Sequence, residues 1–180
     1  MKFYLIIGLF FVACANNEVV CDKEPDAIIE NVCIYKNQFQ KIDNKDLRVA
    51  MNVVDATWSE KFDVDIFDIA NKYQDPDFNV QVEFVDKLSY KGVTLNGFYV
   101  KLLFSEFDKD CIANTAFGHE MLHVLTNLYD IGDPNHKNVD VFMNFSRNSL
   151  EQNKNSLENK INIKLCSLFC EEDCMWYRVK

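Results

Sequence analysis

The stretch from Ile112 to Leu128 constrains this chain more than any other, because it reads as a helix that has almost no polar face. Ile112, Ala116, Phe117, Met121, Leu122, Val124, Leu125 and Leu128 cover it nearly all round, and a helix apolar on all sides lies inside a folded domain. Yet the same helix carries His119, Glu120 and His123. An unpaired carboxylate is expensive to bury, whereas one facing a solvated cleft that holds a cation is not. Residues four apart on a helix lie one above the other, so His119 and His123 present two imidazoles to a single ion. Glu120 sits about 100° around the helix from His119, within reach of a water on that ion without ligating it. The chain has 3 histidines in all, and the third, His136, follows 13 residues after His123. Histidines serving as ordinary core residues would not cluster in this way.

Around this helix the periodicity predicts an α+β fold. Asn44 or Asp43 caps an amphipathic helix in which Leu47, Ala50, Met51, Val54, Trp58 and Phe62 recur every three or four residues. Residues 27–42 read as a short helix ending in a turn at Asp43-Asn44, while 62–73 fit a strand or a helix equally well. Val80, Val82 and Phe84 alternate with polar residues as in a half-buried strand, and Val93 to Leu95 and Phe98 to Phe104 form two more, joined by a tight Asn96-Gly97 turn. The histidine helix starts near Cys111, capped by Asp108 or Asp110, and is stopped by Gly132-Asp133-Pro134. A last helix runs from about Leu150 with Leu157, Ile161, Leu165, Leu168 and Phe169 on one face. The expected architecture is a small antiparallel or mixed sheet packed on the histidine helix, flanked by N- and C-terminal helices. At 180 residues one domain is expected, spanning 27–180.

The net charge of −9, without any basic cluster, disfavours nucleic acid and anionic lipid headgroups as partners. A monomer is expected. Met1-Lys2 and the apolar run Phe3 to Val12 resemble a signal peptide, too short to span a bilayer as a mature helix. Ala13-Cys14-Ala15 fits ordinary cleavage after residue 15. Phe11-Val12-Ala13-Cys14 resembles the lipobox of bacterial lipoproteins, with Phe where Leu is usual, and would leave a signal of 1–13 and a lipidated Cys14 anchoring the protein to a membrane. Either route exports the protein, to the bacterial envelope as a lipoprotein or as a secreted chain, with residues 14–26 as a tether. Setting Cys14 aside, Cys21, Cys33, Cys111, Cys166, Cys170 and Cys174 allow three disulfides. The last three share one helical face and are poorly placed to bridge each other, so the simplest pairing staples them to Cys21, Cys33 and Cys111.

The order His119-Glu120-Met121-Leu122-His123 resembles the H-E-x-x-H motif of zincin metallopeptidases, over roughly residues 93–145. The resemblance implies Zn2+ as cofactor, a peptide or protein substrate, and Glu120 as the general base on a zinc-activated water. Catalytic zinc takes three protein ligands, so a third is needed beside His119 and His123. His136 leads; Glu158 is the alternative with Glu151 behind it, and Asp133 and Asp140 are further candidates to ligate or to orient a histidine. Tyr99 and Tyr129 are candidates to steady an oxyanion, and the strand Phe98 to Phe104 to offer an edge to substrate backbone. The chain departs from metzincins, with Thr126 and Tyr129 where they have Gly and His. The longer gap to His136 is closer to SprT-like domains, whose intracellular, DNA-linked biology does not suit an acidic exported chain, so only the ligand arrangement carries over. The alternative function is a non-catalytic surface or secreted binding protein on a zincin-like scaffold, with zinc absent or structural.

Overall fold

A computed structural model describes residues 19–36, 42–75, 77–104, 111–132, 136, 138, 140–143 and 155–169, the side chains of 111–115 excepted. Over these residues the fold is α+β. The elements are β1 (Ala27–Ile29), β2 (Val32–Tyr35), α1 (Asn44–Phe62), α2 (Ile66–Tyr73), β3 (Gln81–Val85), β4 (Gly92–Leu95), β5 (Tyr99–Leu103), α3 (Cys111–Leu128) and α4 (Leu157–Phe169). The strands form one mixed sheet in the order β1-β2-β3-β5-β4. Its centre, β2-β3-β5, is parallel, and β1 and β4 each pair antiparallel at an edge. Among the described residues no helix is long and apolar enough to cross a membrane.

The helices start where short acidic side chains cap them. Asp43 accepts from Lys45 N–H at 2.7 Å to open α1, and Asp65 accepts from Phe67 N–H at 2.8 Å to open α2. That second cap resolves the ambiguous 62–73 stretch as helix. Asp63 ends α1 in the left-handed region at φ 54°, and the chain re-enters helix three residues later. Leu47, Ala50, Met51, Val54 and Trp58 are fully buried, as their spacing predicts. The Asn96-Gly97 turn is also as expected: both residues have positive φ, and Phe98 N–H donates to Leu95 O.

Several expectations are corrected. Residues 27–35 form a β-hairpin and not a helix, because Glu30 and Asn31 both take positive φ in a tight turn and Asn31 Nδ2 anchors that turn to Ala70 O. The described part of the supposed tether is bound to the sheet from Cys21 onward. Cys21 is disulfide-bonded to Cys33, Lys23 pairs with Glu83, and the Asp26 carboxylate accepts from Lys36 N–H. The same disulfide overturns the pairing of Cys21 and Cys33 with the C-terminal cysteines. Cys166 is also disulfide-bonded; the side chain of Cys111, with Cys14, Cys170 and Cys174, lies outside the described residues, as does the signal segment. The last helix is described from Leu157, where Ser156 Oγ accepts from Asn159 N–H and opens it; the expected start near Leu150 lies outside the described residues. The stop of α3 comes at Asp130, ahead of Gly132. Asp130 sits at φ 51°, Ile131 N–H donates to Thr126 O and Asp130 N–H to Asn127 O, a Schellman ending.

The core joins the sheet to α1, α3 and α4 through Val54, Trp58, Phe117, Met121, Leu125, Ile161 and Leu165. Within it Tyr73 Oη donates to the buried Asp55 carboxyl at 2.6 Å. Burial pushes the Asp55 carboxyl up from 3.8 to about 7, against the lowering effect of that hydrogen bond. Between those two values the folded chain holds a proton that the unfolded chain has released. Stability therefore falls as pH rises from about 4 to about 7 and recovers nothing above it. Asp55→Asn keeps an acceptor for Tyr73 without the charge. Urea unfolding at pH 5 and pH 8 should show wild type losing about 2–4 kcal/mol more than the variant; equal losses would refute the assignment.

Candidate metal centre

On α3, His119 and His123 stand one turn apart, as the spacing required. After the Schellman ending the chain doubles back, and His136 adopts a left-handed backbone conformation at φ 55°, one that histidine takes more readily than most residues but still at a cost. The outcome is convergence: His136 Nε2 lies 3.0 Å from His123 Nε2 and 3.1 Å from His119 Nε2. One ligand atom from each of the three histidines lies within 4.8 Å of those of the other two.

Glu158 orients this cluster. It is the second residue of α4, its side chain only 4% exposed, and its Oε1 lies 2.8 Å from His119 Nδ1 while its Oε2 accepts from Met143 N–H at 2.6 Å. The first amides of α4 hold the same segment, Leu157 N–H donating to Asp140 O and Glu158 N–H to Val141 O. The carboxylate fixes the His119 proton on Nδ1, leaving the Nε2 lone pair facing the other two rings. Burial works against a charged His119, but the hydrogen bond and charge of Glu158, aided by Glu120, outweigh it and raise its pKa. Underneath, the fully buried Phe142 stacks on His123 at 4.5 Å between ring centroids and meets His119 and His136 edge-on at 5.6 and 5.1 Å. This is an apolar floor under a polar cluster.

What brings Glu158 to His119 is the close crossing of α3 and α4 at Gly118. A β-carbon there would sit 2.9 Å from Ile161 Cγ2 and 3.1 Å from Leu165 Cδ1, so the helices approach through a gap that only glycine leaves. Ile161 is three residues on from Glu158, one helical turn away on the same face of α4.

Glu120 is buried, and its Oε2 accepts from Thr94 Oγ1 at 2.7 Å. Burial raises its pKa; the Thr94 hydrogen bond and the neighbouring His119 oppose the rise, and Glu158 adds to it. The base candidate thus rests against β4, the antiparallel edge strand.

The histidines fit a metal ion. Three imidazole nitrogens with a lone pair turned inward repel one another unless a cation or a proton sits among them. Nitrogens held about 2.0–2.1 Å from one tetrahedral Zn2+ lie about 3.3 Å apart, close to the two separations found here. A buried carboxylate on the far nitrogen of one ligand is the usual companion of a metal-bound imidazole.

The expected set is thereby sorted. His119, His123 and His136 come together. Glu158 does not join them as a ligand, because its carboxylate is engaged on the outer nitrogen of His119. Asp140 is exposed and its carboxylate lies 3.9 Å from Lys61 Nζ, so it neither ligates nor orients a histidine. The hydroxyls of Tyr99 and Tyr129 are bonded to Glu83 and Asp68, carboxylates with no part in the cluster. β5 is flanked by β3 and β4 and offers no open edge; among the described residues β4 is the edge strand on that side. Glu151 and Asp133 lie outside the described residues. Sequence reading missed Thr94 and the floor role of Phe142. Glu158 carried a signal, a carboxylate set into the apolar stripe of Leu157 and Ile161.

Adding Zn2+ or Co2+ to metal-free protein should raise its Tm at one equivalent. His136→Ala should abolish that rise, whereas Glu158→Gln should retain it with affinity weakened about 10- to 100-fold. The reverse pattern, binding kept without His136 and lost without Glu158, would exchange their roles. The chain matches no protein-family model, no curated protein and no solved structure.

Proposed function

We propose that this chain is an exported zinc-dependent peptidase, with His119, His123 and His136 as ligands and Glu120 as general base. The observation that carries it is the convergence of the three imidazoles with a buried glutamate next in sequence to the first of them. Zinc suits three imidazoles; when bound, it supplies polarisation of a scissile carbonyl and acidification of a water. The remaining work belongs to the chain's own side chains. Glu120, whose pKa burial raises, takes the proton of the attacking water on its carboxylate and returns it to the leaving amine nitrogen. Glu158 keeps the His119 lone pair directed inward, and Phe142 keeps water from beneath the rings. β4, at the edge of the sheet among the described residues, supplies the strand along which a peptide extends.

Export is supported by the Cys21–Cys33 disulfide, a bond characteristic of oxidising compartments. Anchoring through a lipidated Cys14 remains part of this proposal.

Metal analysis after gentle purification should return one zinc per chain. The loaded protein should cleave members of a mixed peptide library, and Glu120→Gln should reduce cleavage at least about 100-fold with its zinc content unchanged. Cleavage that survives the substitution removes Glu120 from the mechanism; stoichiometric zinc without any cleavage points to the binding-protein alternative.

A further inference from the structure

The edge strand does more at Glu120 than border it. Gly92 and Thr94 are two residues apart on β4 and so lie on one face of the strand, the face turned to α3. Thr94 Oγ1 donates to Glu120 Oε2 at 2.7 Å and lies 3.2 Å from the backbone carbonyl oxygen of the same residue. A hydroxyl has one proton, and the shorter, charge-assisted contact is the carboxylate. At Gly92 a β-carbon would stand 2.7 Å from Glu120 Cγ and 2.9 Å from Glu120 Oε1, with Leu102 Cδ2 at 3.0 Å behind it. Any side chain at 92 therefore displaces the carboxylate, and the oxygen it crowds is the one Thr94 does not hold.

The hairpin cannot slide out of this position. Two turns further along α3 the β4–β5 turn is locked to the same helix: Asn127 Nδ2 donates to His123 O at 2.9 Å and reaches Gly97 O at 3.4 Å. A β-carbon at Gly97 would come within 2.6 Å of that Nδ2. Contacts at 92, 94 and 97 against 120 and 127 fix the strand lengthwise on the helix.

We infer that Thr94 and Gly92 are positioning residues for the general base. Thr94 holds Oε2, and Gly92 leaves room at Oε1, so the proton taken from water forms its bond to Oε1 and leaves from Oε1 to the amine nitrogen. The inference rests on the peptidase reading of Glu120. Positioning of this kind acts on turnover and not on substrate affinity, and a misplacement of about 1 Å costs on the order of 100-fold in rate.

The test uses the full zinc-loaded chain. Thr94→Val keeps the shape and removes the donor; Thr94→Ser keeps the donor; Gly92→Ala crowds Oε1. Expected are a kcat lowered about 10- to 100-fold in Thr94→Val and Gly92→Ala with KM within about 2-fold, and recovery to within about 3-fold of wild type in Thr94→Ser. Zinc content should be unchanged throughout. A readout free of activity comes from urea unfolding of the metal-free chain. Thr94→Val and Glu120→Met should be non-additive, since each removes the same contact. A cleaving wild type whose Thr94→Val variant keeps full kcat, or additive unfolding, overturns the inference alone. A wild type that binds zinc and cleaves nothing overturns the peptidase reading and this inference with it.

Discussion

The buried carboxylate of Glu158 is the interaction on which the candidate site depends, because it joins His119 of α3 to the 140–143 segment and to the first turn of α4. One oxygen holds His119 of α3, the other holds the Met143 amide, and the residue itself sits in the first turn of α4. A carboxylate this buried is costly unless both oxygens are engaged and an opposite partial or full charge lies close. Both conditions are met. The approach that makes this possible is steric and not electrostatic: the missing side chain at Gly118 lets Ile161 and Leu165 close on α3, and the carboxylate one turn before Ile161 arrives at the histidine. The orientation of a polar site is thus set by apolar packing behind it.

What the sequence disclosed follows from the range of each force. Periodic burial is local, so Leu47 through Trp58 announced α1, and i, i+4 spacing put His119 and His123 on one face. The Asn96-Gly97 turn was legible because positive φ at two successive residues demands such a pair. The first hairpin was not, since its turn uses Glu30, which carries no such signal, and Val32, Cys33, Ile34 and Tyr35 are all buried, leaving no alternation to read. Glu158 was visible as a metal-ligand type, but whether it meets the ion or the far side of an imidazole depends on a helix–helix distance that only Gly118 sets. Strand order was equally hidden. Val93–Leu95 and Phe98–Phe104 read alike, and only the parallel pairing of β3 with β5 decides that β4 is the edge and that Thr94 faces the helix.

The disulfide belongs to the same logic of long-range constraint. Cys21 and Cys33 are 12 residues apart, and the bond draws the segment before β1 onto β2, where Lys23 reaches Glu83 on β3 and stacks over the Tyr35 ring. An N-terminal stretch with no hydrophobic periodicity is thereby ordered by one covalent bond and a few polar contacts. It covers the sheet at the end away from β4, so the edge beside Glu120 stays unencumbered by it.

Three buried carboxylates show how one core handles the same group in three ways. Asp55 meets a neutral phenol and is pushed to about 7 by burial, with the nearby charge of Glu30 adding to the rise. Glu158 meets an imidazole and a backbone amide, both donors aimed at a charged form. Glu120 lies between these cases: the neutral Thr94 hydroxyl donates to it, burial raises its pKa, and the neighbouring Glu158 raises it further while His119 lowers it. Both oxygens of Glu158 are already engaged, and Asp55 is bonded to Tyr73 within the core. Of the three, Glu120 alone combines a neutral hydroxyl partner with a place next in sequence to one of the clustered histidines, the pairing on which its proposed role as general base rests.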